Sequence, residues 1–98
     1  MSSSLAGLTA SDFEQRSGEV FRLHAHAQEF ELKLAEINRL GPARRAGGAF
    51  SLLFIAPAGP FLPQATYPIA HPAMGTLDLF IVPLGPRNGG NAYEAVFT

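Results

Sequence analysis

Two histidines one residue apart are the residues whose type and spacing best suit metal chemistry. His24 and His26 lie in the stretch GEVFRLHAHAQEFE. Residues two apart on a strand point the same way, so both imidazoles could face one ion, and Glu31 or His71 could supply a third ligand. Arg22 shares their face, and a cation there opposes the binding of another. We therefore predict exposed, unliganded histidines on a solvated strand face and keep a metal site as the alternative.

The same stretch resembles the first half of the cupin metal motif. The matching glycine, paired histidines and glutamate are Gly18, His24, His26 and Glu31. The match stops there, because Asn38 stands where that motif has its closing glycine, and the second half of the motif is missing around His71. This partial resemblance implies a small cupin-like metal-dependent enzyme, which we keep as an alternative function.

No other group of residues has the types and spacing of a catalytic site. Nothing in the sequence brings two of the carboxylates Glu36, Asp78 and Glu94 together for acid–base chemistry. Ser51 lacks a glycine elbow, and Gly89-Gly90 lacks the strand-to-helix context and the lysine of a phosphate loop. We therefore predict that the protein is not an enzyme and has no catalytic residue, metal or cofactor.

Length, charge and composition restrict the classes of partner. The chain has 98 residues, 47% of them hydrophobic, which suffices for a single small β domain over residues 1–98. A net charge of -1 gives no positive field for nucleic acid or an anionic membrane, so we predict neither as a partner. We find no signal-peptide pattern and no apolar run of the roughly 20 residues that span a bilayer. The compartment stays unknown; we expect cytoplasmic synthesis, compatible with incorporation into a particle.

The first half of the chain predicts one short helix and two strands. Two overlapping capping patterns, Thr9 with Asp12 and Ser11 with Glu14, indicate a helix that ends before Gly18. Apolar residues then alternate with polar ones over 21–27 and 28–34, as in half-buried strands. The alternation breaks phase at Glu36 and Ile37, so we predict a β-bulge near Ala35 that returns Ile37 to the core side.

The second half predicts further strands separated by turns. AFSLLFIA is apolar on both faces, and we predict it as a central strand with Phe50, Leu52 and Phe54 in the core. Residues 57–63 form a proline-rich loop, 66–71 an edge strand interrupted by Pro68, and 76–83 and 92–97 the last two strands. The prediction is a mainly β protein, a compact antiparallel barrel or sandwich of about six strands with one short N-terminal helix.

Two segments supply candidate interface residues. In the proline-rich rim the candidates are Phe61, Tyr67 and His71, although Phe61 and Leu62 could instead plug one end of a barrel. In the terminal strand AYEAVFT the candidates are Tyr93, Val96 and Phe97. This strand has no lysine or proline to discourage pairing, so it needs cover, either within its own barrel or at a subunit boundary. We expect the boundary.

Several segments together resemble one family of short bacterial β proteins of unknown function. They are LTASDFEQRSGEVFRLH, FSLLFIAP, LPQATYPIAHPAMGTLDLFIVPLGP and YEAVFT. Of the histidines only His71 falls on the recurring pattern, so the resemblance implies a fold rather than a chemical site. Members of that family are found beside phage-tail-collar or tail-fibre-like proteins, which implies a role in an extended particle.

We therefore expect a non-enzymatic structural or assembly protein of a phage-tail-like or fibre-like extracellular particle. Its expected partners are further copies of itself or a tail-collar-like protein. Two alternatives stay open: a small ligand-binding β module that uses the proline-rich rim, and the cupin-like metal-dependent enzyme.

Overall fold

A computed structural model describes residues 8–25, 27–41, 48–57, 62–87 and 89–97. The elements are α1 (Ala10–Glu14), β1 (Val20–Ala25), β2 (Gln28–Gly41), β3 (Ala49–Pro57), β4 (Ala65–His71), β5 (Gly75–Arg87) and β6 (Gly90–Phe97). All strand pairs are antiparallel, and the six strands form one sheet that closes in a ring in the order β1-β2-β3-β6-β5-β4. The predicted mainly β fold with one short helix is confirmed, and closure favours the barrel alternative over two facing sheets.

The short helix α1 begins at the first of the two predicted capping patterns. The Asp12 backbone N–H donates to Thr9 Oγ1, and the Thr9 backbone N–H donates to Asp12 Oδ2. Phe13 points into the sheet and is fully buried. Glu14 accepts two hydrogen bonds from Arg39 on β2. The hydrogen bonding to Glu14 and the negative charge of its carboxylate raise the pKa of the Arg39 guanidinium. The helix is thereby fastened over one end of the ring.

Strand β2 contains the predicted bulge. Leu34 pairs with Phe54 and Glu36 pairs with Leu53, so Ala35 is the extra residue in the ladder. Beyond the bulge Ile37 packs against the core while Glu36 is exposed. The predicted return of Ile37 to the core side is confirmed.

Strand β3 is paired along both edges, as predicted. It pairs with β2 on one side and β6 on the other, and Phe50, Leu52 and Phe54 are all fully buried. The apolar run therefore reflects a strand with covered edges and an interior-facing row of large side chains.

Strand β4 is not the edge strand that the sequence predicted. It pairs with β5 from Ala65 to His71 and with β1 at two positions, Arg22 with Ala70 and Leu23 with Ile69. Pro68 lies just beyond this short seam and has no N–H to extend it. Proline correctly signalled weak pairing on one side, but the prediction was wrong because closure of the ring depends on neighbours that are distant in sequence.

The terminal strand β6 pairs with two neighbours within its own sheet. It pairs with β3 from Gly90 to Phe97 and with β5 from Gly90 to Glu94. From Gly90 to Glu94 the backbone is thus paired on both sides within the chain, whereas the pairing of residues 95–97 is with β3. The subunit boundary that we expected for this strand stays a prediction.

Aromatic side chains fill the end of the closed sheet that lies under α1. Phe13 lies 5.7 Å from Phe50 and 5.5 Å from Phe97 between ring centroids, and Phe50 stacks on Phe97 at 4.5 Å. At the opposite end Leu62, in the described part of the β3–β4 connection, is buried. In the part of the chain that the structure describes, no helix has the length and apolar character to cross a membrane.

Candidate functional site

The His24 region is an exposed charge network on the β1–β2 hairpin. Arg22 lies 3.1 Å from a Glu29 oxygen and 3.4 Å from a Glu31 oxygen, and His24 Nε2 lies 3.7 Å from the other Glu29 oxygen. About half of each of these side chains is exposed. Within the described residues no three His, Asp or Glu side chains converge as a metal site would require, while His26 lies outside them. Arg22 holds the carboxylates that a metal would need.

His71, an interface candidate from the sequence, lies inside the fold. Its side chain is 6% exposed, and its Nδ1 accepts a hydrogen bond from the Ala73 backbone N–H. The Nε2 atom lies 2.6 Å from Glu19 Oε1, so in the neutral imidazole Nε2 carries the hydrogen and donates it to the carboxylate. The ring also lies 4.6 Å from that of Phe21. With both nitrogens occupied, His71 fixes the β4–β5 turn.

Sequence reasoning missed Glu19 as the partner of His71. The two residues are 52 positions apart, and no local pattern relates them. Only the seam between β1 and β4 brings the start of β1 beside the end of β4. The one available signal was chemical, since a buried histidine requires hydrogen-bond partners.

The two tyrosines of the candidate list are also turned inward. Tyr93 is fully buried, and its hydroxyl oxygen accepts a hydrogen bond from the Leu62 backbone N–H at 3.0 Å. The Tyr67 hydroxyl donates to the Pro63 carbonyl oxygen at 2.7 Å. Phe61 lies outside the described residues. The described part of the proline-rich rim therefore closes this end of the closed sheet, and its Leu62 N–H and Pro63 carbonyl form hydrogen bonds with the two tyrosines.

On the terminal strand, the two sides differ. Phe97 is buried under α1, whereas Val96 is 50% exposed on the outer face. Of the candidates Tyr67, His71, Tyr93, Val96 and Phe97, Val96 is thus the exposed one. The inward side chains are corrected from interface candidates to core residues, because alternation along β4 and β6 turns every second residue into the ring.

An exposed apolar surface surrounds Val96. Phe80 on β5 is 51% exposed, and Val82 lies on the same outer side of β5, opposite Glu94 of β6. Asp78 lies two residues before Phe80 and is also exposed. We call Asp78, Phe80, Val82, Glu94 and Val96 the Phe80 face. The alternation in TLDLFIV already placed Phe80 opposite the apolar row, which is the signal that could have identified it.

A hollow lies on the outer side of β2 and β3. It has a volume of about 300 Å³, and its lining includes Val20, Glu31, Lys33, Ile55, Pro57 and Gly90. A second hollow of about 360 Å³ shares Lys33 and Ile55 and continues past Gly18 and Ala35. We call the two together the Lys33 groove. A Cβ at Gly90 would collide with the Ala56 carbonyl oxygen, so strand packing requires glycine in this part of the lining.

One of the comparisons with known proteins supports the coarser part of the resemblance, a family of unknown function. No curated protein and no solved structure gives a significant match to this chain. One family model matches residues 8–97, nearly the whole chain, and it is described as a domain of unknown function (DUF6916). The protein therefore belongs to the DUF6916 family, a family of unknown function.

Proposed function

We propose that the protein is a non-enzymatic structural or assembly protein, a subunit or accessory of a phage-tail-like or fibre-like particle. The observation that carries the proposal is the Phe80 face, where Phe80 and Val96 are each about half exposed on adjacent strands. Exposed apolar side chains on adjacent strands favour a site of protein contact, whereas isolated ones such as Leu40 are common on protein surfaces.

The closed sheet supports this reading because it is a rigid support. Each strand of the ring pairs with two neighbours, and the interior is filled by fully buried side chains such as Phe54 and Tyr93. A strand whose backbone is paired on both sides contacts a partner chiefly through its outward side chains. Aromatic side chains held by a rigid scaffold contribute strongly to binding because little conformational entropy is lost.

The choice of partner rests on the family resemblance. Relatives encoded beside phage-tail-collar or tail-fibre-like proteins favour a partner of that type. A small, nearly neutral domain also suits repeated use along a particle, since its net charge of -1 produces little repulsion between copies.

The test is co-purification with the tail-collar-like or fibre-like protein encoded nearest to this chain's gene. With the tag on the partner, we expect the two proteins to elute as one complex. Phe80→Asp should remove this protein from the complex, while Leu40→Asp should not, because Leu40 is 53% exposed but lies outside the Phe80 face. Failure of the parent to bind at micromolar concentrations, or equal binding by the Phe80→Asp variant, would overturn the proposal.

A further inference from the structure

We propose that the Phe80 face of one copy of this chain docks into the Lys33 groove of the next copy. This inference rests on the proposed function, because it supplies a self-assembly contact for an assembly protein. The contact joins two different surfaces, so each copy offers one docking face and one receiving groove.

Lys33 and Phe80 lie on opposite sides of the ring, although both surfaces extend onto β6, the groove at Gly90 and the Phe80 face at Glu94 and Val96. In the order β1-β2-β3-β6-β5-β4, the strand that carries Lys33 is β2 and the strand that carries Phe80 is β5, three places away in either direction. A six-stranded ring allows no greater separation. Two copies joined through these surfaces therefore leave one groove and one Phe80 face free for further copies.

The charges of the two surfaces are complementary. Lys33 forms no ion pair with any described residue, and the neighbouring Glu31 is paired with Arg22. Asp78 and Glu94 on the Phe80 face likewise have no ion-pair partner among the described residues. The groove also contains the Glu31 carboxylate, whose charge is balanced by Arg22, so Lys33 is the charge that the groove offers to a partner. Lys33 on one copy and the two carboxylates beside Phe80 on the other can be neutralised together when the surfaces meet.

The shapes of the two surfaces also agree. Phe80 and Val96 stand out from a strand surface, whereas the groove is a depression whose apolar walls include Val20, Ile55 and Pro57. Val20 is itself 41% exposed, so part of its surface is free to be covered. A Phe80 ring seated in this groove buries apolar area on both copies. The Lys33 amine of one copy then lies near Asp78 and Glu94 of the other.

A contact between different surfaces is heterologous, so it propagates. It closes into a ring of subunits if the rotation per copy permits and otherwise forms a fibre. The chain exposes 5450 Å², and a contact of standard size covers about 800 Å² per partner, so the surface has room for two such contacts.

The first experiment measures mass in solution by sedimentation over a range of concentrations. We expect the parent to associate beyond a dimer, and Phe80→Asp and Lys33→Glu each to weaken association by about tenfold or more. The control Leu40→Asp should associate like the parent. Circular dichroism verifies that each variant is folded, as expected for substitutions at exposed positions.

Mixing the two variants tests the heterologous geometry. Phe80→Asp retains an intact groove and Lys33→Glu retains an intact Phe80 face, so an equimolar mixture should form dimers that cannot grow further. The double variant Lys33→Glu with Asp78→Lys should regain part of the association lost by Lys33→Glu alone. A parent that stays monomeric, single variants that associate normally, or a mixture that stays monomeric would each overturn the proposal.

The second experiment uses the fact that Lys33 is the only lysine in the chain. A carbodiimide joins an amine to a carboxylate without a spacer, so every link that does not start at the α-amine of the chain must involve Lys33. Mixing ¹⁴N- and ¹⁵N-labelled chains separates links between copies from links within one copy. We expect mixed-label links from Lys33 to Asp78 or Glu94; mixed-label links only to other carboxylates would contradict the proposed docking.

The outcome separates this inference from the proposed function. If the parent does not self-associate but still binds the tail-like protein, the self-docking contact is wrong and the assembly role remains. Self-association through these residues without any binding to the tail-like protein would support the contact while overturning that choice of partner.

Discussion

Neighbouring residues on the inward and outward sides of the closed sheet differ in burial, and therefore in what their apolar side chains contribute. On β6, Tyr93 and Phe97 are buried within the ring, while Val96 between Ala95 and Phe97 is half exposed. On the interior side, apolar area is already removed from water in the single chain and stabilises the fold. On the exterior side, the same chemistry is available to a partner. Direction along the pleat therefore decides whether an aromatic or branched residue is buried in the core or exposed to solvent.

The two described histidines repeat the comparison with polar groups. His71 is enclosed, and its two ring nitrogens contact Glu19 and Ala73. His24 is about half exposed and lies 3.7 Å from Glu29. A buried imidazole must be satisfied by the protein, whereas water satisfies an exposed one. The residue types are identical, and the side of the sheet sets their energetic importance.

The largest contrast is expected from adjacent residues on opposite sides. Phe97→Asp should lower the free energy of unfolding by at least about 4 kcal/mol, because it removes a buried ring and places a charge beside aromatic rings. Val96→Asp should cost about 1 kcal/mol or less, since its side chain remains in water. Urea unfolding of both variants measures the difference. Similar losses would break the comparison.

Two phenylalanines provide the next test. Phe54→Ala should cost about 3–5 kcal/mol, because the ring is fully buried at the centre of β3. Phe80→Ala removes the same group from the outer face and should cost less than about 1 kcal/mol. Thermal melting of the two variants and the parent measures the two losses of stability. A Phe54→Ala protein that melts like the parent would show that β3 is peripheral.

A smaller effect is expected from one buried hydroxyl group. Tyr93→Phe keeps the ring but leaves the Leu62 backbone N–H without its acceptor, which should cost about 1–3 kcal/mol. Tyr67→Phe is the matched control, and its cost should be smaller because the bond to Pro63 is only partly buried. Chemical denaturation of both proteins gives the comparison, and a larger loss for Tyr67→Phe would reverse the expected order.

The histidine pair inside the sheet should respond to the loss of its acceptor. Glu19→Ala should cost about 1 kcal/mol, because His71 Nε2 loses its hydrogen-bond acceptor in a mostly buried position. Glu19→Gln retains an acceptor oxygen and should cost less. Proton NMR of the imidazole N–H, together with urea unfolding, measures both effects. Equal stability of the Ala variant and the parent would mean that the pair contributes nothing.

The smallest effect is expected at the exposed histidine. His24→Ala should change the free energy of unfolding by no more than about 0.5 kcal/mol, as surface substitutions usually do. Protein purified without an affinity tag should carry no stoichiometric metal. Elemental analysis checks this expectation, and a bound metal that is lost in the His24→Ala variant would restore the metal site as a function.

Local patterns in the sequence were sufficient for much of the fold. The capping box at Thr9 and Asp12, the bulge at Ala35 and the buried strand around Phe54 all depend on residues within a few positions of each other. Alternation also separated Val96 from Tyr93 and Phe97. These features were predictable because capping, bulging and side-chain direction are properties of neighbouring residues.

The sequence by itself thus determined the β class, the helix start, the bulge and which side chains share a face. The tertiary structure alone decided which face is inside, how β4 meets β1, and that Glu19 lies beside His71. It also brought Lys33 and Ile55 together in one groove and placed Phe80 on the opposite side of the ring. Such relations depend on strand pairings between distant segments, whose closure is fixed by the packing of the whole interior rather than by any local pattern.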